Sequence, residues 1–353
     1  MRPPPSLPFV VWRWVLLVLA LGGNTLVIVV FVRVPRLRTL TSYFIISLAF
    51  ADLTTAVTTV PSLFPATSLP DDLRGALYCR VVASDVLMWT ALKASVFNLV
   101  AVTAERYLAV VYPLRHKRLF SPARAKACIA VTWAAAVAIN AFAVVVLDVS
   151  GGQCVVTWAS PARRLSVGVP VFLLTYLAPV LVMLATYTRI LAKLRSQARA
   201  ASSQPSRRAH SRNRLLAYHA ARRGVVETLF LVVLAFAVCW TPDQVMFLAQ
   251  NAGHLDYEAS PVYPYFLLLA LTNSCLNPLI YSLKNKSFRR SIGQAFRSRH
   301  RVGQDLSFPR REAVALQVLN DAEHEKLACA DTGSQRGPGA VSRAAGSAQP
   351  AVP

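Results

Sequence analysis

Charge is scarce in this chain and acid is scarcer: 15 % of its 353 residues are charged, and 16 Asp and Glu stand against 38 Lys and Arg. With 55 % hydrophobic residues and a mean hydropathy of +0.44, there is too little polar surface to cover a soluble globule. The six cysteines are few. Cys128, Cys239 and Cys275 fall inside apolar segments and read as packing residues, and Cys329 reads as a free thiol near the C-terminus. No His/Cys metal spacing, nucleophile motif or glycine-rich phosphate loop is present, so the usual signs of an enzyme are missing. The histidines, including His116, His210, His219 and His254, are dispersed over connections and read as solvated.

What the sequence does have is apolar runs of about 20 residues, the length that crosses hydrocarbon as a helix. They fall at 9–33, 41–64, 77–109, 123–147, 166–194, 222–250 and 262–284, and lipid obliges each to be helical. The fold class expected is an all-α membrane protein, a bundle of seven transmembrane helices spanning 9–284. The net charge of +22 does not imply nucleic acid, because its placement is alternate. Bases cluster after the first segment (Arg33, Arg36, Arg38), after the third (Arg115, Lys117, Arg118, Arg124, Lys126) and after the fifth (Arg195, Arg199, Arg207, Arg208, Arg212, Arg214, Arg222, Arg223). The other connections carry Asp71, Asp72, Asp148, Asp256 and Glu258. The positive-inside rule then sets a short N-terminal segment (1–8) outside and the C-terminus inside, with anionic lipid heads as partners of the basic runs. No small-residue cleavage site follows the first segment, so an uncleaved first span is expected. The sequon Asn285-Lys286-Ser287 falls on the inner side and is expected to stay unmodified.

After the seventh segment, Phe288, Ile292 and Phe296 recur every four residues in a basic stretch. This predicts a short amphipathic eighth helix over 286–299, lying along the inner membrane surface. The tail 300–353 and part of the connection 195–221 have a composition that predicts disorder. Ionisable Asp52 and Lys93 fall inside apolar segments, which is costly and marks functional candidates. They would suit a transporter or channel, but no inverted repeat or pair of broken helices accompanies them.

Two motifs narrow the reading. Glu105-Arg106-Tyr107 closes the third segment and runs on to Tyr112-Pro113-Leu114, and Asn277-Pro278-Leu279-Ile280-Tyr281 lies late in the seventh. Together, over residues 9–299, the chain resembles the rhodopsin-like G-protein-coupled receptors, most nearly their neuropeptide branch. That resemblance implies a plasma-membrane receptor for an extracellular ligand, with a heterotrimeric G protein as partner and arrestin as a further one, although the tail serines Ser298, Ser307 and Ser334 are sparse. It implies a disulfide between Cys79 and Cys154. Glu105, Arg106, Tyr107, Pro113, Leu114, Tyr187, Phe236, Trp240, Pro242, Asn277, Pro278 and Tyr281 become the coupling and activation residues. Pro179 belongs to the set that rearranges, and Trp133 is a packing residue. No cofactor is implied beyond an allosteric sodium ion, held around Asp52 by Ser95, Asn273, Ser274 and Asn24. The chain departs from many relatives in carrying Arg222, twenty residues before Pro242, where an acid pins Arg106 at rest. Two arginines there would repel, and a tilt of about 1–3 kcal/mol toward the active form is expected.

The ligand is less legible. Counting back from Arg106 places Met88, Trp89 and Leu92 at the pocket floor, with Trp240, Asp243, Gln244, Phe247 and Tyr263 around them. Asp85 resembles the ammonium partner of amine receptors but lies three residues too far from Arg106, unless a bulge restores register. Leu271 stands where an opsin needs its lysine. Asp85 and Asp243, with Asp256 and Glu258 at the rim, favour a basic or amidated neuropeptide; an amine bound through Asp85 remains the alternative.

Overall fold

A computed structural model of the chain describes residues 7–60, 69–202, 209–257, 259–284 and 286–296, without the side chains of 200–202, 209–225, 286 and 287. The chain divides into two compact units, Met1–Arg207 with His219–Arg297, and Arg208–Tyr218 with Ser298–Pro353. Every site below lies in the first. Among the described residues, seven helical stretches are long and apolar enough to cross a membrane. Large apolar side chains such as Val18, Val131 and Val238 stay exposed on them, the reverse of a soluble surface.

The first span is α1 (Leu7–Arg33). A short turn, Pro35–Leu37, leads to α2 (Leu40–Thr58), which opens on a capping box between Thr39 and Ser42. The third span begins with α3 (Leu73–Tyr78), whose first free amides, Arg74 and Gly75, donate to Asp72 at 2.8 and 3.1 Å. It passes through a π-helical turn (Cys79–Ala83) and a break at Ser84–Asp85 before α4 (Val86–Val111). Pro113 starts α5 (Pro113–Leu119), and α6 (Pro122–Asn140) with α7 (Phe142–Val146) forms the fourth span.

An antiparallel hairpin follows, β1 (Leu147–Ser150) and β2 (Gln153–Val156), in the register Leu147↔Val156. Its two-residue turn needs positive φ at both positions, and Gly151 (58°) and Gly152 (73°) supply it. The fifth span joins α8 (Pro161–Phe172), a π-helical turn (Leu173–Leu177) and α9 (Ala178–Ser202). Pro179 is the second residue of α9, one residue past that turn. It cannot donate to the ladder, and the wider turn relieves its ring of the carbonyl before it. The sixth span lies in α10 (Ala209–Asn251), the seventh is α11 (Tyr263–Lys284), and α12 (Lys286–Phe296) is the amphipathic eighth helix. Ser291 accepts from Arg36 at 3.1 Å and the Ala295 carbonyl from Arg33 at 3.4 Å, tying α12 to the end of the first span.

α4 is central, packing on α2, α6 and α9, while α11 packs on α1. The connection 195–221, expected to be partly disordered, is helical to Ser202 and again from Ala209, because its Ala, Arg and Leu are strong helix formers. The tail beyond 296, Cys329, Glu258, Asn285 and the tail serines lie outside the described residues, as does the side chain of Arg222.

Candidate functional site

Near the middle of the bundle the carboxylate of Asp52 (0 % exposed) accepts from Ser274 at 2.9 Å, Asn277 at 2.8 Å and Ser95 at 3.2 Å. Asn24 does not reach it. Its amide donates instead to the carbonyls of Ala20 (2.9 Å) and Ser274 (3.0 Å), holding α11 against α1. That approach is close: a Cβ on Gly23 would stand 2.8 Å from Pro278. Asn273 makes no hydrogen bond to Asp52, and its Oδ1 and that of Asn277 are buried without a partner among the described residues. A buried carboxylate, two hydroxyls and two unspent amide oxygens make the donor chemistry that a hard cation takes, so these residues fit a sodium ion.

Near the C-terminal end of α4, Glu105 (0 % exposed) gathers three side chains. Arg106 donates to it twice, both at 2.6 Å, Thr41 donates at 3.0 Å, and His116 stands at 2.8 Å. A carboxylate only accepts, so the His116 Nε2 carries the proton of that bond. His116 is therefore not a solvated loop residue. Helix α5, started by Pro113, turns the connection back under the span and brings it to Glu105. Nothing in the local sequence distinguishes it from the other histidines. Tyr107 packs edge-on against Tyr112, and Leu114 is 62 % exposed. Tyr187 is buried beside Thr103, which donates to it at 3.5 Å, and Tyr281 is buried against Phe288.

An aromatic column joins the third, fifth and sixth spans. The Trp240 ring lies 6.0 Å from Phe236 and 6.3 Å from Trp89, and Phe236 lies 6.2 Å from Tyr176. Pro242, two residues above Trp240, interrupts the α10 ladder.

Above that column opens a cavity of about 450 Å³. Trp89, Leu92, Trp240, Asp243, Gln244, Phe247 and Tyr263 line it. Met88 does not; it is buried in the core. Asp85 does not either. It takes a left-handed φ of 51°, directly after the π-helical turn, and interacts electrostatically with Arg13 of α1. The extra residues of the third span are thus absorbed by a wide turn and a reversal, which re-aim Asp85 rather than restore it to the floor. The disulfide Cys79–Cys154 ties this turn to β2, and Leu147 and Val156 of the hairpin line the cavity.

Sequence reasoning missed part of the lining. Lys93 donates to Asn140 at 2.6 Å, and Asn140 donates to Thr90 (3.0 Å) and to the Val86 carbonyl (2.9 Å). Lys93 and Asn140 stand on different spans, and no spacing links them. Asp243 accepts from Gln244 at 3.0 Å and from Tyr257 at 3.1 Å. Burial, and then the Asp243 carboxylate, push the Tyr257 phenol up, so it remains a donor. Arg164 and Asp256 also line the space, so Lys93 and Arg164 offset Asp243 and Asp256.

Residues 23–281 match the sequence profile described as 7 transmembrane receptor (rhodopsin family). The chain is 32 % identical over 292 residues to the Substance-K receptor of Mus musculus, covering 80 % of this chain and 73 % of that protein. It is 30 % identical over 288 residues to the Galanin receptor 2a of Danio rerio, covering 78 % and 76 %. To the Substance-K receptor of Homo sapiens it is 32 % identical over 306 residues, covering 83 % and 74 %.

Proposed function

This chain belongs to the rhodopsin family of seven-transmembrane receptors, multi-pass proteins of the plasma membrane rather than enzymes, and on that premise we propose that it receives a neuropeptide and activates a heterotrimeric G protein. Relatives named as receptors for substance K and galanin point to a peptide. The observation that carries the reading is the outer cavity floored by Trp240, directly above Phe236 and two residues below Pro242. A ligand that fills the cavity presses on this column and selects a conformation in which the inner half of α10 swings outward at Pro242. Arg106 then leaves Glu105, and with Leu114 and the basic ends of α9 and α10 meets the G protein. Asn277, Pro278, Tyr281 and Tyr187 rearrange with it.

The alternate basic connections set the N-terminus outside and the C-terminus inside. The inner face and α12 lie against anionic lipid, and arrestin is a further partner of the same face. Asp52, Ser95, Ser274 and Asn273 would hold a sodium ion, which supplies positive charge beside the buried carboxylate. The amine reading loses its anchor, since Asp85 faces Arg13 instead of the cavity.

The test is G-protein activation in cells expressing the chain, challenged with substance K, galanin and other neuropeptides alongside biogenic amines. A response to peptide and none to amines is expected. A response to amines alone, abolished by Asp85→Ala, would overturn the peptide reading.

A further inference from the structure

The cavity lining has hydrogen-bonding capacity of both signs left over, on the third and sixth spans. On the wall made by the third and fourth spans, Lys93 (9 % exposed) spends one donor on Asn140 and lies 5.6 Å from the Trp89 ring centre. An ammonium has three donors, so its pairing among the described residues is incomplete. On the wall made by the sixth span, the buried Trp240 Nε1 has no partner among those residues. One turn farther along the same helix Asp243 and Gln244 are buried, and Gln244 Oε1 accepts nothing from the described residues. Lys93 and Asp243 attract each other electrostatically, yet no ion pair joins them among the described residues. Both line the cavity.

We propose that this floor selects an uncharged head group that both accepts and donates, a primary carboxamide, whose carbonyl takes protons from Lys93 and Trp240 and whose NH2 donates to Gln244 and Asp243. The proposal rests on the outer cavity being the ligand site. An ammonium offers donors only: it satisfies Asp243 but meets Lys93 as a like charge. A carboxylate offers acceptors only: it satisfies Lys93 but meets Asp243 as a like charge. In so buried a place an unmatched charge is costly, and a site built for specific hydrogen bonds rejects analogues that lack them. The carboxamide pairs with both walls and leaves neither charge unmatched. In a peptide it comes from an amidated C-terminus or from an Asn or Gln side chain.

The test needs no known agonist. Purified full-length chain in lipid nanodiscs is melted with four fragment probes: N-acetylphenylalaninamide (terminal carboxamide), N-acetylglutamine methylamide (side-chain carboxamide), N-acetylphenylalanine (carboxylate) and phenethylamine (ammonium). At least one carboxamide is expected to raise the melting temperature, at a half-saturating concentration at least about tenfold below either charged probe. Which carboxamide does so identifies the source. Lys93→Met is expected to let phenethylamine stabilise the protein, and Asp243→Asn to let N-acetylphenylalanine do so. Wild-type protein stabilised equally by a charged probe, or by none of the four, overturns the proposal. The wild-type comparison decides even if a variant does not fold. A failure here leaves the peptide reading to its own signalling assay, and silence in that assay leaves the head-group preference measurable.

Discussion

Glu105→Gln tests the proposed resting clamp on Arg106. Four hydrogen bonds end on this wholly buried carboxylate, two from Arg106 at 2.6 Å, one from His116 at 2.8 Å and one from Thr41 at 3.0 Å. Glutamine keeps one carbonyl oxygen, and its NH2 is a donor that faces the donors of Arg106 and His116. About two of the four bonds are lost, each worth about 1.5–3 kcal/mol when a charged group is involved. Part of that loss also falls on the active form, where Glu105 keeps Thr41 and His116. The net shift toward activity is then about 2–3 kcal/mol, a typical conformational coupling. Since about 1.4 kcal/mol is a factor of ten, the resting-to-active ratio falls by about thirty to a hundredfold. The assay is ligand-independent G-protein activation at matched surface expression. A basal signal within twofold of the wild type would refute the assignment of Glu105 as the resting clamp. His116→Ala removes one of the four bonds and should raise the basal signal by less.

Further outcomes follow from other parts of the chain. Arg222→Glu places an acid where Arg106 can pair with it, and should lower basal signalling; an unchanged basal signal contradicts the repulsion assigned to Arg222. Gly23→Ala drives a Cβ to 2.8 Å from the rigid Pro278 ring and should cost about 1–3 kcal/mol, read as a lower melting temperature in nanodiscs. Cys154→Ser removes the bond to Cys79 and should cost about 2–4 kcal/mol, with the double variant Cys79→Ser, Cys154→Ser no worse than either single one. Replacing choline chloride by sodium chloride should raise the melting temperature of the wild type and leave that of Asp52→Asn unchanged; an equal rise in both sinks the cation site.

The seven spans and α12 were legible because apolar run length and a four-residue apolar repeat are local properties of the sequence. The Asp52 cluster and the Glu105–Arg106 pair were legible through motif resemblance, which carries positions on several spans at once. What escaped was set by backbone departures and contacts across spans. Asp85 looked like a pocket acid because helical counting assumes an unbroken helix, and a π-helical turn with a left-handed residue turns it toward Arg13. Lys93 was visible as an expensive charge, but its partner Asn140 stands on another span. His116 resembled its neighbours until α5 folded. The hairpin did leave a sign, since Gly151-Gly152 between short apolar runs is a two-residue turn signal.

The central claim is that this chain catalyses nucleotide exchange on a G protein through Arg106. Purified chain in nanodiscs, mixed with heterotrimeric G proteins of each class, should accelerate guanine-nucleotide uptake over receptor-free discs, further with an active neuropeptide, and Arg106→Ala should abolish the acceleration. Uptake that no class of G protein shows above receptor-free discs, or that Arg106→Ala leaves intact, would contradict the account.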